Sequence, residues 1–389
     1  MTVDQRGIVA LLRSAVTQMP HPVQQEFDLE QVYPLIKQHH ITALAYEGAA
    51  HCGFSAEMPV MKKLFADYCK SLMVSERQIN QVERVCRTFD ENRIDYMPLK
   101  GCNMKSRYPK PELRAMGDAD ILIRLEQYDK IRELMENLGF AEQYDTDHEL
   151  VWRNSSLSVE LHKRLIPSYN VDLYAYFGDG WELAKVKQGS CYAMTAEDEW
   201  IYLFTHFAKH YRDGGIGCRH VVDLWVYLRT YPDLNEGYVV EELEKLKLLE
   251  FYKNIRRLID AWFEQTQEDA VVEHMTEFIF ASGSWGKIES RALSRAVRDA
   301  KHSALGKNGK LLYLWQTAFP SVDVLKSKYT ILKKAPGLLP AVWLVRPFYK
   351  VLFERDSLAR HEKNLEELTQ DNMEIRQQML RFVGLDYNF

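Results

Sequence analysis

From about Asp28 to Asp90, apolar side chains recur at steps of three and four: Met61, Leu64, Phe65, Tyr68, Leu72, Ile79, Val82, Cys86 and Phe89. An α-helix needs that period to gather its apolar groups on one face, so this stretch is expected to be a helical lead-in. Near Ile94 the texture changes to IDYMPLKG, a short strand-like run closed by glycine. ADILIRL alternates as a second strand should. Between Glu126 and Leu138 the spacing of Tyr128, Ile131, Leu134, Met135 and Leu138 is again helical, and Gly139 is placed to cap the end. ELVWRNSSLSVELHKRL then predicts two strands joined by a turn at Asn154-Ser155-Ser156. From Thr195, which stands three residues before Asp198 in a capping-box-like arrangement, the chain turns helical through WIYLFTHFAKHY and stays mainly so to Phe389.

These elements predict an α+β protein in which a small mixed-sheet core is flanked by mainly helical regions. The expected divisions are a helical region over 1–92, the α/β core over 93–190, a helical domain over 191–283 and a basic, aromatic helical region over 284–389.

Composition narrows the class. A chain of 389 residues with 46% apolar and 27% charged side chains can bury sizeable cores and is neither disordered nor fibrous. The formal charge of −5 gives no global basic signal, so wholesale coating of nucleic acid is not expected. Six cysteines with no CxxC pair point to a reducing, cytoplasmic setting. The N-terminal run IVALL is shorter than a signal-peptide core and is followed by Arg13. Pro336 to Val345, the most apolar later stretch, is about half a bilayer span and contains Pro340, so integral membrane insertion is not expected. Between Lys287 and Lys350, thirteen Lys/Arg stand against three Asp/Glu, interleaved with Tyr313, Trp315, Phe319, Tyr329, Trp343, Phe348 and Tyr349. Such a mixture can meet nucleic acid or an anionic surface, but it is also what a solvated helical face over an aromatic core looks like.

The candidate chemistry sits in GDADILI. Asp118 and Asp120 lie two residues apart on an expected strand, so their carboxylates project on one face, about 7 Å apart at the backbone. Oxygen-rich groups in that arrangement suit a pair of hard cations such as Mg2+ or Mn2+ acting on phosphoryl groups. Glu160, in SVELH, supplies a third carboxylate on another strand, with His162 on its face and Val159 and Leu161 on the other. Upstream, Lys100-Gly101 closes a strand-like run, where glycine lets the backbone approach a phosphate and lysine brings charge. His206 and His210 stand four apart on one helix face; a zincin would need glutamate directly after the first, and Phe207 stands there. Arg219 and Asp223 have the spacing of a helical ion pair.

LKG, Tyr108-Pro109, Arg114, GDAD and VELH occur in the order that resembles the uncharacterised nucleotidyltransferase family of the polymerase-β superfamily. The likeness is strongest over about 95–165 and extends across the helical flanks from about 30 to 230. It implies an enzyme using a nucleoside triphosphate and Mg2+ or Mn2+, with Asp118, Asp120 and Glu160 catalytic and metal-binding. It further implies that Gly101 seats the triphosphate, that Lys100 and Arg114 contact phosphate, and that His206, Lys209, His210, Arg219 and Asp223 border the cleft. The broader superfamily has serine after the glycine; Cys102 stands here. The acceptor hydroxyl is left open among a small molecule, a protein and an RNA end. The competing class is a non-catalytic nucleotide-sensing or scaffold module acting through its helical flanks.

Overall fold

A computed structural model describes residues 1–168, 170–283, 315, 318–320, 322–325, 329, 331–353 and 369–385. The protein is α+β: a seven-stranded mixed sheet set among helices. Four helices come first, α1 (Val3–Thr17), α2 (Leu29–Gln38), α3 (Thr42–His51) and α4 (Pro59–Glu91). Thr2 starts α1 with a reciprocal cap, its hydroxyl accepting from Gln5 N–H while the Gln5 side chain accepts from Thr2 N–H. Strands β1 (Tyr96–Pro98), β2 (Ala119–Ile123), β3 (Ala141–Asp145), β4 (Glu149–Arg153) and β5 (Ser158–His162) follow, with the short helix α5 (Gly101–Met104) after β1 and α6 (Tyr128–Asn137) after β2. Helix α7 (Val171–Phe177) leads to β6 (Lys185–Gln188) and β7 (Cys191–Ala193). Helices α8 (Ala196–Asp213), α9 (Cys218–Thr230), α10 (Glu236–Lys245), α11 (Leu249–Phe263) and α12 (Ala270–Ser282) complete this part.

The strand order is β3-β4-β5-β2-β1-β7-β6, with β2 parallel to β5 and antiparallel to β1. The expected hairpin is β4–β5, and Asn154 makes its turn by accepting from the N–H groups of Ser156 and Leu157. Gly139, at φ +83, ends α6 as its sequence position implied. Alternate residues of β2 serve two separate cores. Ala119, Ile121 and Ile123 pack with Val159, Leu161, Val85 and Phe89 on one face, and Leu122 joins Met97 and Leu99 on the other. The latter core is built largely from α1–α3, α8, α9 and α11. Asp120 shares the face of Leu122, so the carboxylates look toward the helices.

Helix α4 is the helix that the period over this stretch predicts, and it spans both cores. Its first turns place Val60, Met61 and Leu64 in the helical core, and its last place Val85 and Phe89 beneath the sheet. Between the cores Phe65 and Leu72 are exposed, as are Met73 and Val74. The buried groups there are polar: Ser75 accepts from Lys105 Nζ at 2.8 Å, and Gln78 Nε2 donates to the Met116 carbonyl at 2.8 Å. The middle of α4 therefore supports the loop between β1 and β2.

Two later helices are Leu339–Phe353 and Gln370–Phe382. Through Met373 and Leu380, with Val383 and Leu385 just after it, the second joins the helical core, and Arg376 Nη2 donates to the Tyr211 and Arg212 carbonyls at the end of α8. Most of the basic, aromatic stretch from Lys287 to Lys350, Tyr313 included, lies outside the described residues, and so do the side chains of Phe348 and Tyr349. Among the described residues, no helix is long and apolar enough to cross a membrane.

Candidate active site

Sheet register sets the first part of the site. In the parallel pair β2–β5, Asp120 stands directly opposite Glu160 and Leu122 opposite His162. Asp118 lies one residue ahead of β2 and close enough to hydrogen-bond Glu160. On the other side β1 delivers Lys100, whose Nζ donates to Asp120 Oδ1 at 2.9 Å. The same oxygen is hydrogen-bonded by His162 Nε2 at 2.9 Å. The Leu99 N–H donates to the Asp120 carbonyl at 2.9 Å, so the backbones on either side of the ion pair are tied as well.

Lys100 is held at φ 42, ψ −110, a conformation that costs a side-chain-bearing residue about 1–3 kcal/mol. Gly101, by contrast, is needed for space. A Cβ there would lie 2.7 Å from Arg114 Nη1 and 3.1 Å from the Met116 Cγ and Sδ atoms.

Burial and charge divide the three carboxylates. Burial would raise Asp120, but Lys100 and His162 override it and hold this carboxyl well below the usual range. Burial likewise works against the Lys100 ammonium, yet Asp120 keeps its pKa above that of ordinary lysine. Asp118 is raised by burial and by Asp120. Glu160 is pushed up to about 9 by burial and by the charges of Asp118, Glu149 and Asp120. Such crowding, incompletely balanced by one ammonium, is what a cation relieves. The donor set fits a divalent ion: donor atoms of Asp120, Glu160 and His162 lie within 4.8 Å of one another, and Asp118, just ahead of β2, adds a carboxylate to the lining of the same cavity.

Facing the carboxylates across a cavity of about 240 Å³ are His206, Lys209 and His210 of α8, with Arg219 and His220 of α9. Burial and the neighbouring Lys100 lower His206 well below its ordinary value and bring Lys209 to about 8. Burial, with Arg219 beside it, takes His220 to about 3. The cleft thus has an acidic sheet wall and a wall of nitrogen bases and cations.

Arg114 also lines the cavity, but its Nε and Nη2 are bonded to Asp223 at 3.1 and 3.0 Å. Tyr108 donates to the same carboxylate at 2.7 Å. This corrects the spacing-based pairing of Asp223 with Arg219: the helical neighbour instead donates Nη1 to the Ala115 carbonyl. Asp223 faces inward to the β1–β2 loop, where Arg114 offers a two-pronged match that a neighbour along the helix does not.

The structure therefore gathers Lys100, Gly101, Arg114, Asp118, Asp120, Glu160, His206 and His210 around one cavity. Sequence reasoning did not identify His148, Glu149 and His220 in its wall. Two of these were within reach: a hairpin turned at Asn154 opposes Glu149 to His162, and His148 precedes it. His220 gave no signal, since its role depends on how α9 docks.

Comparison with curated proteins and with solved structures returns no match. A family model described as an uncharacterised nucleotidyltransferase matches residues 25–264, from the loop before α2 to the end of α11. That match covers well over half of the 389 residues and contains both walls of the cleft. The chain belongs to this uncharacterised nucleotidyltransferase family.

Proposed function

We propose that the protein transfers a nucleoside monophosphate from a nucleoside triphosphate to a hydroxyl acceptor, releasing pyrophosphate, in a reaction that depends on Mg2+ or Mn2+. The observation that carries this reading is the pairing of Asp120 with Glu160 on one sheet face, with Asp118 lining the same cavity opposite a cationic helical wall. Asp118, Asp120 and Glu160 are the groups to hold the metal, which when bound neutralises triphosphate charge and acidifies the attacking hydroxyl.

The chain's own residues do the positioning. Lys100 and His162 fix the Asp120 carboxylate from two directions, so it meets its ligand without rearranging. Lys209 and Arg219, on the facing wall, are placed to bind triphosphate oxygens, and His206 and His210 border the nucleotide. Arg114 serves the phosphate side by holding the β1–β2 loop against α9. With nucleotide and acceptor held in line, the acceptor oxygen forms its bond to the α-phosphorus as the bond to pyrophosphate breaks, and the hydroxyl proton passes to a carboxylate of the cluster.

The test is transfer of α-labelled ATP, CTP, GTP and UTP into a lysate of the source cells, with Mg2+ or Mn2+, comparing wild type with Asp118→Ala/Asp120→Ala. Label that appears only with wild type supports the reading, and the labelled fraction reveals the acceptor class. Equal labelling by the folded double variant sinks it.

A further inference from the structure

We infer that His148, Glu149 and His162 form a second cation position, beside the carboxylate cluster, that takes a borderline divalent ion such as Zn2+, Co2+ or Ni2+ in preference to Mg2+. One donor atom from each residue lies within 4.8 Å of the others, a grouping from which three ligands can close on one ion with bonds of about 2.0–2.2 Å. The arrangement is fixed by the sheet. Glu149 and His162 are cross-strand partners in β4–β5 and share a face. His148, immediately before β4, is anchored by its carbonyl, which accepts from Lys163 N–H at 2.8 Å. Its ring meets that of His162 edge-on with centroids 5.8 Å apart, and its Nε2 lies 2.9 Å from Glu149 Oε2.

His162 supplies an independent observation. With Nε2 donating to the Asp120 carboxylate, the neutral ring presents a lone pair at Nδ1, and that atom is buried without a hydrogen-bond partner. A histidine whose one nitrogen is oriented by a carboxylate while the other is left bare is the usual state of a metal-ligating imidazole. Nδ1 is the ring nitrogen of His162 that has no hydrogen-bond partner.

Two imidazoles and one carboxylate select borderline ions by donor type, whereas Mg2+ prefers the oxygens of the adjacent cluster. Side-chain exposures of 20% for His148 and 15% for Glu149 leave a way in from the cleft.

The test reads metal binding, so it is separable from the transfer reaction. Tag-free full chain is titrated calorimetrically with Zn2+ under saturating Mg2+, alongside His148→Ala, Glu149→Gln and Asp118→Asn, each checked for folding by circular dichroism. We expect one Zn2+ per chain that Mg2+ does not displace. His148→Ala and Glu149→Gln should weaken it by more than about tenfold, a loss that even an outer partner of a metal ligand can cause, while Asp118→Asn retains it. Absence of Mg2+-resistant binding, or binding lost in Asp118→Asn but kept in His148→Ala, overturns the proposal. Should the ligand variants unfold, the visible spectrum of the unmutated Co2+-loaded chain decides: strong d–d absorption of a low-coordinate nitrogen-containing site supports it, and the weak absorption of six-coordinate oxygen ligation refutes it.

Discussion

Replacing Asp223 with alanine strands the Arg114 guanidinium in a place where only 7% of the side chain meets solvent. Bonds at 3.1 and 3.0 Å are lost, and the Tyr108 hydroxyl loses its 2.7 Å acceptor. Removing one member of a buried ion pair costs about 3–5 kcal/mol. A buried hydroxyl left without a partner costs about 1–3 kcal/mol. Because both groups share one carboxylate the two losses do not simply add, and we expect Asp223→Ala to lose about 4 kcal/mol or more. Arg114→Met/Asp223→Leu should recover most of this, since exchanging a buried pair for apolar groups of similar volume is often close to neutral; the remaining deficit is the about 1–3 kcal/mol of the unsatisfied Tyr108. Urea unfolding followed by circular dichroism measures all three proteins. A loss under about 1 kcal/mol for Asp223→Ala, the range of solvent-screened pairs, would refute the reasoning and return Arg114 to the direct phosphate contact that its family position implies.

At Lys100, alanine and glycine both remove the ammonium from Asp120, but only glycine relieves the φ of 42, so Lys100→Gly should be more stable than Lys100→Ala by about 1–3 kcal/mol; equal stabilities in the same unfolding assay would contradict the backbone argument. Gly101→Ala pushes a methyl against Arg114 and Met116 and should lose about 1–3 kcal/mol through overpacking, while an unchanged unfolding midpoint would show that the Arg114 head can move aside. Lys105, buried against Ser75 and the Pro111 and Arg114 carbonyls, is brought from 10.5 to about 8 by burial and by Arg114. From about pH 8 to 10.5 the unfolded chain then holds more protons at this site, so stability relative to Lys105→Met should rise across that window, by on the order of 3 kcal/mol. A difference that stays flat with pH would mean that Lys105 titrates normally.

Local stereochemistry made the α+β class and the carboxylate geometry legible. Alternation in ADILI and SVELH decides which side chains share a face, so Asp120 can be placed opposite Ile121, and Glu160 with His162, before any pairing is known. The register that sets Asp120 against Glu160 is a tertiary fact, yet either in-phase register would have left both on the helical side of the sheet. Strands β6 and β7 escaped notice because β6 is exposed along its whole length and β7 is only half-buried, so neither carries an alternating pattern. Phe65 and Leu72 show that a helical period alone does not decide burial. Their period is helical, but a 33-residue helix that serves two cores has a middle that faces neither.

Charge was harder to read than apolarity, because an ion pair can join residues at any separation along the chain. Arg114 meets Asp223 across 109 residues, and no spacing rule connects them. Lys100 and Gly101 teach the same lesson at closer range. Glycine invites the reading that its backbone takes the unusual conformation, yet the left-handed φ falls on Lys100 and the missing Cβ of Gly101 makes room for Arg114. The exchange has a physical basis. Strand β1 must end with the lysine turned toward Asp120, and the next residue must let Arg114 pass on its way to Asp223. A Cβ there would crowd Arg114 Nη1 at 2.7 Å, whereas the strain on Lys100 is offset by a buried ammonium–carboxylate contact in the cleft. A local rule is thus broken where the acidic wall of the cleft is assembled, the kind of place where conflict between backbone preference and side-chain chemistry is expected.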